Sequence, residues 1–342
     1  MINTITSLRS FYYSFGTNYD KCDGIDSIKR ETFQSKVNMV LDVVVIGGSF
    51  AGLSAAMTLG RSLLRVACID GGQPCNRFAT SSHNSIAFDG DNPIKALEKA
   101  REKVKQYLTV KLYQDEVVGV KNEGDFFDIS TKESGTLQAR KLIFAAGIKD
   151  KIEETGIGNL SQFWGKTAIH CPYCHGYEIR DRPVALYYQN PKIISEMVKV
   201  VYNWNKNLVI LTNGVSLDLE NKVELDKLNI KIVTEPIDHL EGLGAQLEKV
   251  VFSNGTSIAV GGLYLMPPTD VNASGILASL GVELENNFVK VDAMFKTNVP
   301  GVFASGDCTT PIRSVTTAMY QGMMAGTVCS KEIFTANWSR SE

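Results

Sequence analysis

The sequence predicts an α/β fold built on parallel sheets, and three observations carry that prediction. Val40 to Ile46 is a near-continuous apolar, β-branched run, as expected of a strand buried on both faces. A turn rich in glycine, Gly47-Gly48-Ser49-Phe50-Ala51-Gly52, follows at once and opens a helix of small residues, Leu53 to Leu59. A second alternation of strands and helices runs from Pro183 to about Leu265.

Taken in order, residues 1–38 mix polar and aromatic side chains without periodicity, so a poorly ordered extension is expected there. After the first strand, turn and helix, Leu64 to Ile69 reads as the next strand and ends at Asp70, which completes a βαβ unit. A helix is expected from Ile94 to Tyr107, short strands between Val110 and Ile129, and a strand at Lys141 to Phe144 ending in the turn Ala145-Ala146-Gly147. The second α/β stretch predicts a strand at Val184 to Tyr188, a helix at Ile193 to Trp204, and strands at Leu208 to Thr212, Lys231 to Thr234 and Lys249 to Phe252. Gly301 to Asp307 is a last strand and turn, followed by a long amphipathic helix from about Arg313 to Phe334. No internal repeat and no low-complexity tract interrupts this order.

Composition narrows the function classes. The chain has 342 residues, 44% hydrophobic and 21% charged, ordinary for a globular protein of two or three domains. A net charge of -2 offers no electrostatic footprint for nucleic acid or for an anionic membrane. The apolar runs are too short to span a bilayer, and no signal-peptide core follows Met1, so a cytoplasmic setting is expected. Five of the seven cysteines, Cys22, Cys68, Cys75, Cys308 and Cys329, are scattered, unlike a secreted disulfide framework. The other two, Cys171 and Cys174, form a C-x-x-C pair followed by His175.

The first βαβ unit carries the pattern of a dinucleotide-binding site. A tight turn lets backbone N–H groups approach a pyrophosphate at the helix N-terminus, where the helix dipole favours negative charge. Gly47 to Gly52 form that turn, with Ser49 in place of the middle glycine; Asp70, with Gly71 beside it, stands where a ribose hydroxyl would be accepted. The C-x-x-C spacing lets two thiols close a small disulfide ring in which one thiolate attacks and the other resolves. C-x-x-C-H is also the haem c attachment pattern, but that chemistry needs export, and a zinc site would want a second ligand pair at short spacing. No metal is expected. His175 could shuttle protons, since an imidazole titrates near neutral pH; its alternative is a structural histidine in a turn. His170 and His239 read as ordinary surface or core residues.

The strand ending in Gly306-Asp307 before a long helix resembles the second FAD motif of flavoproteins with two dinucleotide-binding domains, and Ala145-Ala146-Gly147 resembles their intermediate Ala-Thr-Gly turn. With the motifs in this order, Val40 to Phe334 resembles the low-molecular-weight thioredoxin reductase family. The resemblance implies a discontinuous FAD domain, 39–158 and 266–336, with an inserted NADPH-type domain, 159–265, that carries the cysteine pair. Cys-Pro-Tyr-Cys-His-Gly-Tyr-Glu is similar to the branch of dithiol oxidases of the gliotoxin and holomycin types, where reductases proper usually have Cys-Ala-Thr-Cys-Asp. Asn76-Arg77-Phe78-Ala79 and Ser82-His83 resemble that branch's flavin loop.

The resemblance also assigns roles. FAD is the implied cofactor, with Asn76, His83, Ala146, Gly147, Gly306 and Asp307 around it and Arg313, Ser314 and Val315 at the flavin O2 edge. Cys174 would face the flavin as the charge-transfer thiolate, Cys171 would be the interchange thiol, and His175 replaces the reductases' acidic residue. The implied partner is a small dithiol or disulfide, or a thioredoxin-like protein, and the implied assembly is a homodimer.

The nicotinamide half departs from the family. Its turn reads Tyr187-Tyr188-Gln189-Asn190-Pro191 with no glycine; Leu211-Thr212-Asn213-Gly214-Val215 lacks the paired arginines for a 2′-phosphate; Met266-Pro267-Pro268-Thr269-Asp270 replaces a late glycine turn. Weak or absent NADPH binding is expected, which leaves O2 or a protein donor such as ferredoxin as the electron partner. The alternatives are an NADPH-dependent thioredoxin reductase with an unusual pocket and a non-enzymatic flavin-binding sensor.

Overall fold

The computed structural model describes residues 40–188, 190–215 and 222–339; the expected extension at 1–38 and Gln189 lie outside the described residues. The first described element is β1 (Leu41–Ile46), which turns into α1 (Phe50–Arg61) and returns on β2 (Val66–Asp70); α2 (Pro93–Lys105) then leads to β3 (Val110–Gln114). A meander of β4 (Val117–Asn122), β5 (Phe127–Thr131) and β6 (Thr136–Phe144) brings β6 against β1. The sheet order is β3-β2-β1-β6-β5-β4. β1 lies between parallel neighbours and is buried throughout, which is why its sequence is a continuous apolar run rather than an alternating one. Val43 and Val45 face α1, and Val44 and Ile46 face the opposite core, as the two-residue period of a strand requires.

A second lobe follows a short strand, β7 (Ile148–Asp150). It contains α3 (Leu160–Phe163), β8 (Ala168–Ile169), α4 (Pro172–His175), β9 (Val184–Tyr187), α5 (Pro191–Val201), β10 (Leu208–Leu211), α6 (Lys222–Lys227) and β11 (Lys231–Val233). An antiparallel sheet of β12 (Ile237–Leu243), β13 (Gln246–Phe252) and β14 (Ser257–Ala259) comes next, of which the sequence pattern marked only the end of β13. β15 (Gly262–Leu265) completes a parallel sheet of order β11-β10-β9-β15-β8. Ala185 and Tyr187 face the antiparallel sheet, while Val184, Leu186 and Tyr188 face α5. Ile152, Ile157, Leu160, Phe163 and Trp164 pack in the first of these cores, so the packing of this lobe starts at Ile152.

The chain returns through β16 (Thr269–Val271), which pairs antiparallel with β7 and forms the ribbon between the lobes. After α7 (Ser274–Ser279) and the small hairpin of β17 (Leu284–Glu285) and β18 (Phe288–Val289), β19 (Val302–Ala304) pairs in parallel with the last residues of β6. The final helix, α8 (Val315–Ser339), lies on α1. Small residues set that close packing: a Cβ on Gly322 would collide with the Ala51 carbonyl, and one on Gly326 would lie 3.0 Å from the Ala55 oxygen. None of the helices among the described residues is long and apolar enough to cross a membrane.

Candidate active site

A cavity of about 560 Å³ lies between the lobes, within the size range of small-molecule and cofactor sites. Its floor is the first βα turn: Gly47, Gly48, Ser49, Phe50 and Ala51 line it. Gly47 has φ +102°, and a Cβ there would collide with the Ala145 carbonyl, so glycine alone lets the chain leave β1 in this direction. No side chain caps α1, since Ser49 makes no capping bond. The N–H groups of its first turn are therefore presented to the cavity. Gly52 does not line the cavity; a Cβ there would strike the Gly47 carbonyl, so its part is to seat α1 against the turn.

Asp70 at the end of β2 lines the cavity and is paired with Arg101 of α2. Gly71, grouped with it in the sequence reading, is exposed and outside the cavity, because the chain turns away to solvent once the carboxylate has turned in. Asn76, His83, Ala146, Gly147, Gly306 and Asp307 all line the cavity. Burial pushes the Asp307 carboxyl up to about 6 against the pull of Arg313. Ser314 and Val315 line the far end, where the Ser314 hydroxyl accepts from the Thr317 N–H at 2.9 Å and caps α8. Arg313 also lines the cavity, with two of its guanidinium N–H groups on Asp150, at 2.8 and 3.3 Å.

Cys171 and Cys174 form a disulfide on the cavity wall, with Cα atoms 5.3 Å apart. Pro172 starts the short helix α4 between them, and His175 ends it. Nε2 of His175 lies 3.3 Å from the Ser81 carbonyl, and burial lowers its pKa against the pull of that bond and of Glu178. Among the charged and imidazole groups of the cavity, His170 was set aside in the sequence as an ordinary residue and Asp150 carried no motif. His170 precedes the disulfide directly and lies against Trp164, with ring centroids 5.9 Å apart. Asp150 reaches the cavity from β7 and accepts from the Cys75 thiol at 3.3 Å. Adjacency to Cys171 was a signal for His170; nothing local marks Asp150, whose partners lie 75 and 163 residues away.

The family profile described as pyridine nucleotide-disulphide oxidoreductase matches residues 41–187 and 192–322. The chain belongs to this family. Among relatives of this oxidoreductase, thioredoxin reductase sirT of Leptosphaeria maculans is 28% identical over 313 residues, covering 84% of this chain and 92% of the relative. The solved structure of TrxB from Bacillus anthracis superposes with a TM-score of 0.83 at 32% identity, over 87% of this chain and 99% of that one. The structure of HlmI gives a TM-score of 0.82 at 27% identity, over 88% and 95%. Membership implies a bound flavin, and the cavity fits one: an uncapped helix N-terminus for a pyrophosphate, a strand-end carboxylate for a ribose, and the disulfide at the other end.

The second βα turn of the oxidoreductase is built differently. Asn190 Oδ1 accepts from the N–H groups of Lys192 (3.0 Å) and Ile193 (3.4 Å), and Pro191 at the first helical position has no N–H to offer. Tyr188, one of the residues that stand in this turn in place of glycine, does not fill it. Its side chain is buried in the core against α5, with its hydroxyl unpaired, because the residue after Tyr187 points to the α5 face of the sheet. Asn213 accepts from the Ile237 N–H at 2.6 Å and donates to the Tyr187 hydroxyl at 3.3 Å, and Thr269 to Val271 are drawn into the ribbon with β7.

Proposed function

We propose that the chain is an FAD-dependent thiol–disulfide oxidoreductase that works through Cys171 and Cys174 with a dithiol or disulfide partner, and whose flavin is not served by NADPH. The contrast between its two helix N-termini carries this reading. α1 has no side-chain cap and opens on the cavity that holds the disulfide, whereas α5 is closed by Asn190 and Pro191. A pyrophosphate arriving at α5 would have to displace the Asn190 cap and would still meet no N–H from Pro191. The break in the family match at residues 188–191 supports the same reading.

The bound flavin supplies two-electron chemistry next to the cysteine pair. The chain's own part is to hold the disulfide against the cavity, to expose Cys171 to an incoming thiolate, and to keep His175 beside Cys174 for the proton. With the nicotinamide site closed, the flavin's partner is O2 or a protein donor such as ferredoxin. The homodimer and the cytoplasmic setting belong to this reading.

Anaerobic mixing of the flavoprotein with dithiothreitol, NADPH, NADH and reduced ferredoxin in parallel tests it. Dithiothreitol is expected to bleach the flavin and NADPH is not. Rapid bleaching by NADPH would return the chain to the NADPH-dependent reductases, and a flavin that no dithiol bleaches would make it a sensor.

A further inference from the structure

We propose that His83, oriented by Glu178 and Asp89, is a second general base of the active site and takes a proton from the substrate dithiol. The inference rests on the thiol–disulfide reading above and adds a residue to it. His83 lines the cavity that holds the disulfide. Its Nε2 lies 2.9 Å from the Ser81 hydroxyl and 3.4 Å from Glu178 Oε1, and its Nδ1 lies 3.6 Å from Asp89 Oδ1. The His175 ring stands edge-on to it, with centroids 6.0 Å apart. The Ser81 carbonyl accepts the Nε2 proton of His175, so the basic nitrogen of His175 is Nδ1.

Three imidazoles line the cavity, and with His170 buried against Trp164, His83 and His175 remain for the two protons of the reaction. A thiol attacks a disulfide only as its thiolate, and a dithiol must lose two protons to become a disulfide. The first substrate thiol gives its proton to His83, and its sulfur attacks Cys171, breaking the Cys171–Cys174 bond and forming a mixed disulfide. The second substrate thiol gives its proton to His175, and its sulfur attacks the first substrate sulfur, releasing Cys171. Two electrons have passed from the dithiol to the cysteine pair, and two protons to the histidines. Asp89 faces Nδ1 and holds its proton, which leaves Nε2 as the basic nitrogen of His83, and Glu178 beside Nε2 stabilises the imidazolium as it forms. Both carboxylates reach solvent, with Glu178 38% and Asp89 61% exposed in their side chains against 20% for His83, so the proton has a way out.

His83 and Asp89 lie on the loop before α2 and Glu178 lies just after α4 in the other lobe, so the base is assembled across the cavity. In the sequence His83 fell in the flavin-loop motif and Glu178 at the end of the cysteine motif, and nothing there showed that the two meet.

The test is anaerobic reduction of the flavoprotein by dithiothreitol, stopped with acid at intervals. Freed Cys171 and Cys174 are alkylated and counted by mass spectrometry, with flavin absorbance followed in parallel. At neutral pH, His83→Gln is expected to slow thiol release about 100-fold and Glu178→Gln about 3- to 10-fold. Both deficits should close as the pH rises past about 8.5, where a thiol ionises unaided. A purely structural loss would not close with pH. The inference fails if both variants match the wild type or if their deficits are the same at every pH. A wild-type disulfide that dithiothreitol does not open refutes instead the reading on which it rests. Should His83→Gln fail to fold, Glu178→Gln alone decides, because its partly exposed side chain lies on the opposite lobe.

Discussion

At the scale of single residues, the cavity holds ionisable groups far from their ordinary behaviour, and His170 is the clearest. Burial pushes it down to about 3, with Arg313 and His175 acting in the same direction and Asp150 against. The folded chain therefore keeps the ring neutral, while the unfolded chain takes up a proton near pH 6.5. The unfolded state binds more protons between those limits, so this group makes stability fall as pH drops from about 6.5 toward 3. Asp307, whose carboxyl is raised to about 6, acts in the opposite sense. His170→Phe keeps an aromatic ring against Trp164 and removes the titration. Its melting temperature should decline less steeply with acid than that of the wild type over this window; parallel curves would show that His170 does not carry the effect. His170 stood next to Cys171 in the sequence, but its burial depends on Trp164 and Asp150, and no local pattern revealed that. Cys171, Cys174 and His175 were legible because their chemistry is written in their spacing.

At the scale of elements, the molecule uses one βα turn in two ways. The first turn spends Gly47 on a positive φ and Gly52 on close packing, and it keeps the N-terminus of α1 free of a side chain. The second caps its helix from within. Replacing Asn190 by Ala removes two hydrogen bonds at the start of α5 and should cost about 1 kcal/mol, read as a shift in the denaturation midpoint of the holoenzyme. The variant should still not be reduced by NADPH, because Pro191 lacks an N–H and Asn213 remains bonded to Ile237 and Tyr187. Reduction of the variant by NADPH would mean that the cap alone closed the site. The loss of glycines in this turn was visible in the sequence. What took their place was visible only in part, since Asn-Pro reads as a helix start but does not say which way Tyr188 points. The antiparallel sheet β12–β14 was mostly missed for a related reason. Its strands mix buried and exposed residues irregularly, and their register shifts at Ile237/His239 and Glu241/Gly242, so no clean two-residue period survives to be read.

At the scale of the whole molecule, the two lobes meet at the β7–β16 ribbon and around the cavity, and the ion pair between Asp150 and Arg313 joins that ribbon to the segment leading into α8. Asp150 is 5% exposed and Arg313 13% in their side chains. Burial opposes the Asp150 charge, but Arg313 and the Cys75 thiol hold its pKa below the usual value. Arg313→Met should therefore do more than remove a contact. It would leave a buried carboxylate without its counter-charge, a loss of about 3–5 kcal/mol in comparable cases. The sign with pH follows from the same balance. Without Arg313, burial, the largest single influence on Asp150, outweighs the Cys75 hydrogen bond and raises the pKa above the unfolded value. The variant's deficit should be largest at neutral pH, where Asp150 must either take up a proton to stay buried or unfold to hydrate its charge, and should shrink toward pH 4–5 as the carboxyl is protonated in any case. Arg313→Met combined with Asp150→Asn removes both charges and should recover much of the loss at neutral pH. Denaturant unfolding of the three proteins across pH measures this, and a single-variant deficit that stays constant with pH, or a double variant no better than the single, would show that the pair does not hold the ribbon to α8 through its charge.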